Sequence, residues 1–379
     1  MDDNYDLIVV GAGPAGAAAA LSALRRRPDA RVLMLDRAPL GRDKVCGDGI
    51  APHAVAALAA LGVSAVQEDE LVPRVRLVSP SGSGSGAVTA SPGYVVPRRV
   101  FDERVARAAI DAGARFERAR VTTVTQDRTG VTVNGRWTAP ALVAADGSNS
   151  VVRRAVGEPA NRGSALAVAL RGYAPTPAGL EKELLLRWDT QRAGGLCYAW
   201  AFPVSDGTTN IGYGMSSAAI TGGRAQLEER MRALLPEIPA DGVELVGHTL
   251  PLTVSRPKAA VGRVLLTGDA ASLINPLTGE GIFSAIASGA LAGGAAIDNP
   301  ATAGQVYSRG LARQFGRQYR QTRALYPLIN SRVVLDGVIR ACQRDPRMFD
   351  RLLDIGLGDS SFTAADVVRF VRFGLRRTT

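Results

Sequence analysis

The chain has 379 residues, of which 46% are hydrophobic and 21% are charged, a balance typical of a globular enzyme. Its net charge is +10, but the basic residues are dispersed and no aromatic-rich motif accompanies them, which argues against a nucleic acid partner. The length exceeds that of a usual single hydrophobic core, so we expect interleaved domains or one large α/β body.

The N-terminal residues carry the pattern of a βαβ unit. Hydrophobic runs predict strands over Tyr5–Val10 and Arg31–Leu35, and an Ala-rich segment predicts a helix over Pro14–Arg27 between them. Dinucleotide-binding folds usually begin with this unit, so the segment indicates an α/β fold of that class.

A GxGxxG motif lies between the first strand and the helix. Gly11, Gly13 and Gly16 allow the backbone to approach a pyrophosphate at the N-terminus of the helix. Asp36, at the end of the second strand, can accept hydrogen bonds from a ribose. Because strand, helix and acid all accompany the glycines, the motif predicts dinucleotide binding.

Loops, short strands and helices alternate in the next part of the chain. A glycine-rich loop over Arg42–Ile50 precedes a helix over Ala54–Leu61. Short strands over Arg74–Ser79 and Ala87–Ala90 are joined by the SGSGSG run Ser81–Gly86, which predicts a flexible hairpin tip. A helix and three strands follow: Arg99–Gly113, then Arg115–Thr125, Gly130–Val133 and Leu142–Ala145.

The second half of the chain changes from strands to helices. From Ala165 to about Arg256, turn signals separate strand-like segments, which predict a separate antiparallel sheet. A strand over Val264–Leu266 returns to the first domain, and the chain from Gly281 onward is mainly helical. Asp366–Arg377 predicts a basic, partly amphipathic helix that either docks on its own protein or contacts a membrane surface.

A second glycine-rich loop, after the Val264–Leu266 strand, decides the cofactor. The carboxylate of Asp269 can accept a hydrogen bond from a ribityl hydroxyl, and Gly279–Gly281 opens a helix whose N-terminus favours negative charge. A reduced flavin carries such charge, whereas a nicotinamide site needs no second loop. The two loops together therefore predict FAD.

Four motifs carry a resemblance to a known family. Arg42–Gly49 is similar to R-x-K-x-C-G-G-G, Arg98–Asp102 matches R-x-x-F-D, and Tyr198–Pro203 matches Y-x-W-x-F-P. Together with the GDAA run at Gly268–Ala271, they make the chain resemble the geranylgeranyl reductase family, flavoproteins of the para-hydroxybenzoate hydroxylase fold. The resemblance implies an α/β fold in which a Rossmann-like FAD-binding domain is interleaved with an antiparallel-sheet substrate domain. The expected boundaries are 1–70, 98–160 and 257–300 for the FAD-binding domain, 71–97 and 161–256 for the substrate domain, and 301–379 for a C-terminal helical region.

The resemblance also assigns residues to the cofactor. Besides the glycine motif, it implies FAD contacts at the following positions: Ala15, Asp36, Arg37, Cys46, Gly47, Arg98, Asp269, Gly281 and Ile282, with Val121 on a strand below the adenine. Asp48 departs from the family pattern, since it replaces the middle glycine of the loop. We expect its carboxylate near the flavin face, where it becomes a candidate acid if desolvation raises its pKa.

The substrate side is indicated by aromatic residues. Tyr198, Trp200 and Phe202 alternate, so they share one face of a strand. That face either packs on a domain core or, as the resemblance implies, lines a pocket beside the flavin ring. Cys46 is either a buried small residue or part of the active-site lining, where nearby basic residues would activate its thiol.

These features predict an FAD-dependent reductase of carbon–carbon double bonds in an isoprenoid or related hydrophobic substrate. NADPH or a protein donor would reduce the flavin. The alternative is an FAD-dependent monooxygenase of a hydrophobic or aromatic metabolite, and a flavin carrier without catalysis is a third class. Three distant cysteines and two histidines argue against a metal site and suit a cytoplasmic protein, with peripheral contact to the inner membrane face as an alternative.

Overall fold

The computed structural model describes residues 3–190, 195–329 and 331–374. The strands of these ranges, in chain order, are β1 (Leu7–Val10), β2 (Val32–Asp36), β3 (Gly49–Ile50), β4 (Leu71–Val78), β5 (Gly84–Val95), β6 (Arg115–Arg118), β7 (Val124–Gln126), β8 (Val131–Val133), β9 (Trp137–Ala139), β10 (Leu142–Ala144), β11 (Leu166–Pro175), β12 (Glu183–Trp188), β13 (Cys197–Pro203), β14 (Thr208–Ser216), β15 (Val246–Pro251), β16 (Ala260–Val261) and β17 (Val264–Leu266). The α-helices are α1 (Pro14–Arg26), α2 (Pro52–Ala60), α3 (Arg98–Asp111), α4 (Val151–Ala155), α5 (Gly223–Leu234), α6 (Ile282–Asp298), α7 (Ala303–Leu325), α8 (Arg332–Arg344), α9 (Pro346–Leu357) and α10 (Ala364–Gly374).

The first sheet is a mainly parallel one of six strands in the order β16-β17-β10-β1-β2-β6. Only the β16 edge pairs antiparallel. The central strands β1, β10 and β17 are fully buried, as their unbroken hydrophobic runs predict for a mainly parallel sheet. Parallel order places the carboxyl ends of β1, β2, β10 and β17 at one edge, where the loops of both glycine motifs begin.

The second sheet has eight strands in the order β15-β11-β14-β13-β12-β4-β5-β3. Its pairs are antiparallel except β4 with β12, a parallel pair whose strands come from distant parts of the chain. A small third sheet contains β7, β8 and β9. The predicted α/β class, with interleaved sheets and C-terminal helices, is confirmed.

Glycine allows α1 and α6 to pack at unusually close range. A Cβ atom at Gly289 would lie 2.0 Å from the carbonyl oxygen of Ala15, and one at Gly293 would lie 2.0 Å from that of Ala19. Close packing fixes the starts of both helices relative to each other. The two cofactor loops predicted from the sequence therefore converge on one region.

The C-terminal helices cover the second sheet. Met348 and Phe349 of α9 and Ile339 of α8 pack with Val75 and Leu77 of β4 in one buried apolar cluster. α10 packs mainly against α8. These helices therefore form a layer over the strands that face them rather than a separate body.

Two local predictions differ from the structure. Gly84–Gly86 belong to β5, so the chain reverses at Ser79–Ser83, and Asp336 of α8 accepts hydrogen bonds from the N–H and hydroxyl of Ser81. The tip is thus anchored on a helix. The strand predicted over Arg115–Thr125 is interrupted after Arg118, and the end of the predicted C-terminal helix, residues 375–377, lies outside the described ranges.

Candidate active site

A large cavity lies between the two sheets and beneath the C-terminal helices. Its volume is about 1130 Å³, above the roughly 300–1,000 Å³ of most small-molecule pockets. Its walls come from the N-terminal βαβ unit, the second sheet and α8–α10. This space is large enough for a cofactor and a second ligand.

The glycine motif forms one end of the cavity. Gly11 has a φ of +106°, and a Cβ atom at Gly16 would lie 1.9 Å from the carbonyl oxygen of Gly11, so both positions require glycine to close the turn. Gly13 differs, because a Cβ atom there would meet no protein atom closer than 3.9 Å. The space beside Gly13 lies at the N-terminus of α1, which no side chain caps. A pyrophosphate would bind there through the free N–H groups and the helix dipole.

Asp36 lies at the same end of the cavity, at the end of β2. Its Oδ2 atom accepts a hydrogen bond from the Ala12 N–H at 2.9 Å, and its Oδ1 atom accepts one from the Ala38 N–H at 2.9 Å. These bonds orient the carboxylate toward the cavity that it lines. Each oxygen keeps a lone pair for the hydroxyls of a ribose.

Charged residues surround Asp269, which begins the second cofactor loop. Burial alone would raise its pKa, but the Lys44 ammonium, 3.0 Å away, holds the pKa of Asp269 below its ordinary value. Burial and the nearby Lys44 lower the pKa of His248, whose Nε2 atom lies 3.2 Å from the Ser148 hydroxyl. Asp269 is therefore an anion at neutral pH, able to accept a hydrogen bond from a ligand hydroxyl.

Arg98 is a buried cation beside the cavity. Burial opposes its charge, but Asp102 and Cys46 raise its pKa above the ordinary value. Its Nε and Nη2 atoms donate to the two carboxylate oxygens of Asp102 at 2.6 and 2.7 Å. Because this pairing fixes the guanidinium, Arg98 presents a stationary positive charge to whatever occupies the cavity.

Tyr198, Trp200 and Phe202 form one wall of the cavity, as their alternation along β13 predicts. The Tyr198 hydroxyl donates to the Thr278 carbonyl at 2.5 Å, and the Trp200 Nε1–H donates to Asn210 Oδ1 at 2.9 Å. Both polar groups are thus satisfied within the protein, and the rings turn their apolar faces to the cavity. Such a wall suits a flat or prenyl ligand.

Asp48 does not line the cavity, contrary to the expectation that places its carboxylate at the flavin face. The residue is fully buried and has a φ of +61°, and this backbone conformation turns the side chain into the protein. Its carboxylate accepts hydrogen bonds from the Tyr173 hydroxyl, from Asn210 Nδ2 at 2.7 Å and from the Arg98 N–H at 3.2 Å. Burial raises the pKa of Asp48 to about 6 despite these donors.

Glu280 is a cavity residue to which the sequence reasoning assigned no role. It precedes α6, and its Oε1 atom accepts a hydrogen bond from the Phe283 N–H at 2.6 Å. Burial raises its pKa to about 8, and the charge of Asp269 acts in the same direction. Glu280 is therefore a carboxylic acid at neutral pH. The GEG run marks the position, but burial, which sets the pKa, is not visible in the sequence.

The cavity continues as an apolar arm beneath the C-terminal helices. Leu184 and Leu186 of β12 line one side, and Val338, Leu352 and Phe370 of α8–α10 line the other. The polar groups described above belong to the opposite end. The cavity therefore combines a polar half and an apolar half.

The structure brings nearly all predicted site residues to this cavity. Those that line it are Gly11, Gly13, Ala15, Asp36, Arg37, Cys46, Gly47, Arg98, Val121, Tyr198, Trp200, Phe202, Asp269, Gly281 and Ile282. Gly16 and Asp48 lie behind its surface. Val121 lies between β6 and β7 rather than on a strand. The individual roles of these residues stay predictions.

The residues present fit FAD. The oriented carboxylate of Asp36, the open space beside Gly13 and the anion of Asp269 all lie on the cavity wall. They meet the needs of an adenosine ribose, a pyrophosphate and a ribityl chain, the three groups that FAD carries in this order. The N-terminus of α6 at Gly281 faces the same space, and its Phe283 N–H donates to the Glu280 carboxyl.

Comparison with known proteins identifies relatives of the chain. Residues 76–358 match the family described as lycopene cyclase protein. The chain is 34% identical to a menaquinone reductase of Mycolicibacterium smegmatis over 77% of this chain and 76% of the relative. It is 32% identical to a digeranylgeranylglycerophospholipid reductase of Methanopyrus kandleri over 78% of this chain and 81% of the relative.

Solved structures share the fold. A geranylgeranyl bacteriochlorophyll reductase-like protein from Thermoplasma acidophilum superimposes with a TM-score of 0.78 at 22% identity, covering 98% of this chain and 96% of that one. A halogenase in complex with FAD gives a TM-score of 0.70 at 17% identity, and the match covers 97% of this chain and 90% of the halogenase. The relatives at 34% and 32% identity show that the chain belongs to the geranylgeranyl reductase family of FAD-dependent oxidoreductases, as its motifs indicate.

Proposed function

We propose that the protein reduces carbon–carbon double bonds of a prenyl chain. The observation that carries the proposal is the shape of the cavity. The end that is lined by the predicted FAD-binding residues continues directly into an apolar arm, whose walls include Leu184, Leu352 and Phe370. A long hydrocarbon chain would fill this arm. The relatives named as reductases of menaquinone and of a digeranylgeranyl lipid support a prenyl substrate.

The protein contributes binding, shielding and a proton. When bound and reduced, FAD supplies the electrons for the reaction. Tyr198 and Trp200 exclude water from the reacting part of the cavity, because their polar atoms are paired with Thr278 and Asn210. An isolated alkene needs a proton as well, and Glu280 is a cavity carboxyl whose pKa, raised to about 8 by burial, keeps it protonated at neutral pH.

The source of electrons is part of the proposal. The sequence contains one GxGxxG motif, and in this structure it serves the FAD end of the cavity. We therefore propose that NADPH or a protein donor reduces the flavin in a transient encounter rather than from a second permanent dinucleotide site.

The test is an anaerobic one. The purified flavoprotein is reduced with dithionite, a geranylgeranyl lipid or menaquinone is added, and the return of oxidised flavin absorbance is followed. The proposal predicts reoxidation together with a product in which a double bond is saturated.

Two other outcomes would indicate a different class of flavoprotein. If flavin stays reduced without air, and oxygen then yields a product heavier by one oxygen atom, the protein is a monooxygenase. If neither condition yields product while FAD remains bound, the protein binds flavin without acting on these lipids.

A further inference from the structure

The apolar arm of the cavity reaches the protein surface among the C-terminal helices. Leu328, Val334 and Val367 all line the cavity, yet 49%, 37% and 52% of their surfaces are exposed. A side chain that both lines a cavity and faces solvent marks an opening. The cavity therefore has its mouth between the end of α7 and the first turns of α8 and α10.

The rim of this mouth is apolar. Val333 and Val368 adjoin the lining residues and are 66% and 64% exposed. We call Leu328, Val333, Val334, Val367 and Val368 the mouth residues. They make up five of the eight large hydrophobic side chains that are exposed in the described ranges. Such a concentration around an opening indicates contact with an apolar partner.

The part of the sequence that contains the mouth residues is strongly basic. Residues 301–379 contain 14 Arg and six Asp, with no Lys or Glu, so they hold +8 of the net charge of +10. Exposed Arg332 and Arg369 adjoin mouth residues in sequence, and exposed Arg323 lies five positions before Leu328. An apolar rim within a basic surface has the composition of a segment that lies in the interface of an anionic membrane.

We propose that the mouth docks on an anionic phospholipid bilayer, so that a prenyl chain passes from the hydrocarbon of the membrane into the cavity. The mouth residues enter the interface, and the flanking arginines contact lipid phosphates. A protein partner would cover an apolar patch, but it would have no need for an opening that leads into an apolar cavity. None of the helices in the described part of the chain is long and apolar enough to cross a membrane. The nature of the cargo rests on the proposed function, whereas the docking does not.

The first test measures binding of the full-length holoprotein to vesicles. Sedimentation is compared for phosphatidylcholine vesicles and for an equimolar mixture with phosphatidylglycerol. The mouth variant is Val333→Asp with Val368→Asp, because neither side chain lines the cavity. The matched control is Val246→Asp with Val306→Asp, which are 41% and 51% exposed and also lie outside the lining.

The wild-type protein should bind the mixed vesicles more tightly than phosphatidylcholine alone, and added salt should weaken the binding. The mouth variant should bind the mixed vesicles at least about tenfold more weakly, while the control, with the same change in charge, stays within about twofold of wild type. Equal losses in both variants, or no binding by the wild type, overturn the proposal. So does a wild-type dimer in sedimentation velocity that the mouth variant alone abolishes.

A second measurement separates docking from chemistry. Anaerobic flavin reoxidation is followed with a prenyl lipid embedded in vesicles and with a short prenyl analogue in solution. The mouth variant should lose rate with the vesicle lipid and keep it with the soluble analogue. If neither substrate reoxidises the flavin while vesicle binding persists, the proposed function fails and the docking stands. If the mouth variant uses vesicle lipid as fast as the control does, the docking fails and the function stands.

Discussion

Gly13 and Gly16 belong to one motif but are required for different reasons. A Cβ atom at Gly13 meets no protein atom within 3.9 Å, and its φ of −76° suits any residue, so Gly13→Ala should fold. The added methyl group would occupy the space beside the N-terminus of α1. We predict that the variant keeps the thermal stability of the apoprotein but binds FAD at least about tenfold more weakly.

Gly16→Ala is the matched comparison for this prediction. Its Cβ atom would lie 1.9 Å from a backbone oxygen, so the apoprotein itself should be destabilised. Flavin fluorescence titration and thermal unfolding of the two apoproteins separate the cases. Unchanged FAD affinity in Gly13→Ala would show that the pyrophosphate binds elsewhere.

Asp48 should make stability depend on pH. The pKa of this buried carboxyl rises from an ordinary 3.8 to about 6 on folding, so the folded state binds a proton more tightly than the unfolded state. The contribution of this carboxyl to the free energy of unfolding is therefore complete below pH 3.8 and is lost as the pH rises through about 6. The complete change amounts to about 3 kcal/mol.

The Asp48→Asn variant isolates this effect from other titrating groups. Relative to the variant, the wild type should lose roughly 1 kcal/mol of unfolding free energy between pH of about 5 and about 7.5. Urea unfolding of both proteins at the two pH values measures the difference. A difference that is constant with pH would mean that the carboxyl titrates as it does in water.

Glu280 should control the high-pH limb of the reaction. Because its pKa is raised to about 8, the acid form is lost above that pH, and the anaerobic rate of flavin reoxidation should fall with it. Glu280→Gln should lower the rate by roughly 10²–10⁴-fold and remove this limb while FAD affinity stays near that of wild type. If the reoxidation rate of Glu280→Gln depended on pH as that of the wild type does, another group would be the proton donor.

The sequence predicted residues whose role is local better than residues whose role depends on distant partners. Tyr198 and Trp200 reach the cavity because strand alternation puts them on one face. The sequence places Asp48 beside the flavin, whereas in the structure Tyr173 and Asn210, far along the chain, hold it in the interior. The raised pKa of Glu280 likewise depends on burial by the whole fold.

At the scale of elements, the pairing of α1 with α6 depends on glycine. A Cβ atom at Gly293 would lie 2.0 Å from the Ala19 carbonyl oxygen, and backbone atoms on both sides leave little room for adjustment. Gly293→Ala should therefore push the helices apart and reduce the unfolding free energy by roughly 1–3 kcal/mol. Thermal and urea unfolding measure the loss.

Gly310 of α7 provides the control for this prediction. A Cβ atom there would meet only the Leu291 side chain at 3.4 Å, an ordinary contact. Gly310→Ala should therefore stabilise the protein by roughly 0.5–1 kcal/mol, since alanine favours the helix. Opposite signs for two identical substitutions would establish close helix packing, whereas equal effects would contradict it.

Periodicity predicted the elements of the first sheet well, because their hydrophobic runs are bounded by glycine and acid. Periodicity did not predict that α8–α10 cover the cavity. The apolar residues of these helices, such as Ile339 and Phe370, have the same pattern whether they cover a core or a ligand. Which surface a helix covers depends on tertiary packing, so the apolar arm became visible only in the structure.

At the scale of the whole molecule, the cavity that is predicted to hold FAD joins distant parts of the chain. Its residues extend from Gly11 in the first loop to Ile282 at α6, and both sheets contribute. A ligand held by so many elements should stabilise them together. Removal of FAD is therefore predicted to lower the midpoint of thermal unfolding for the entire protein.

Addition of FAD to the apoprotein should reverse this loss according to mass action. Free FAD at about one hundred times its Kd should contribute about 2.7 kcal/mol, and the midpoint should rise with each further increase in concentration. Calorimetry is the appropriate measurement, because it also counts transitions. One transition that moves as a unit is expected, since the Rossmann-like sheet and the second sheet share the walls of one cavity. Two transitions, of which FAD shifts only the first, would mean that the second sheet does not depend on the cofactor and that its aromatic wall is formed before FAD binds.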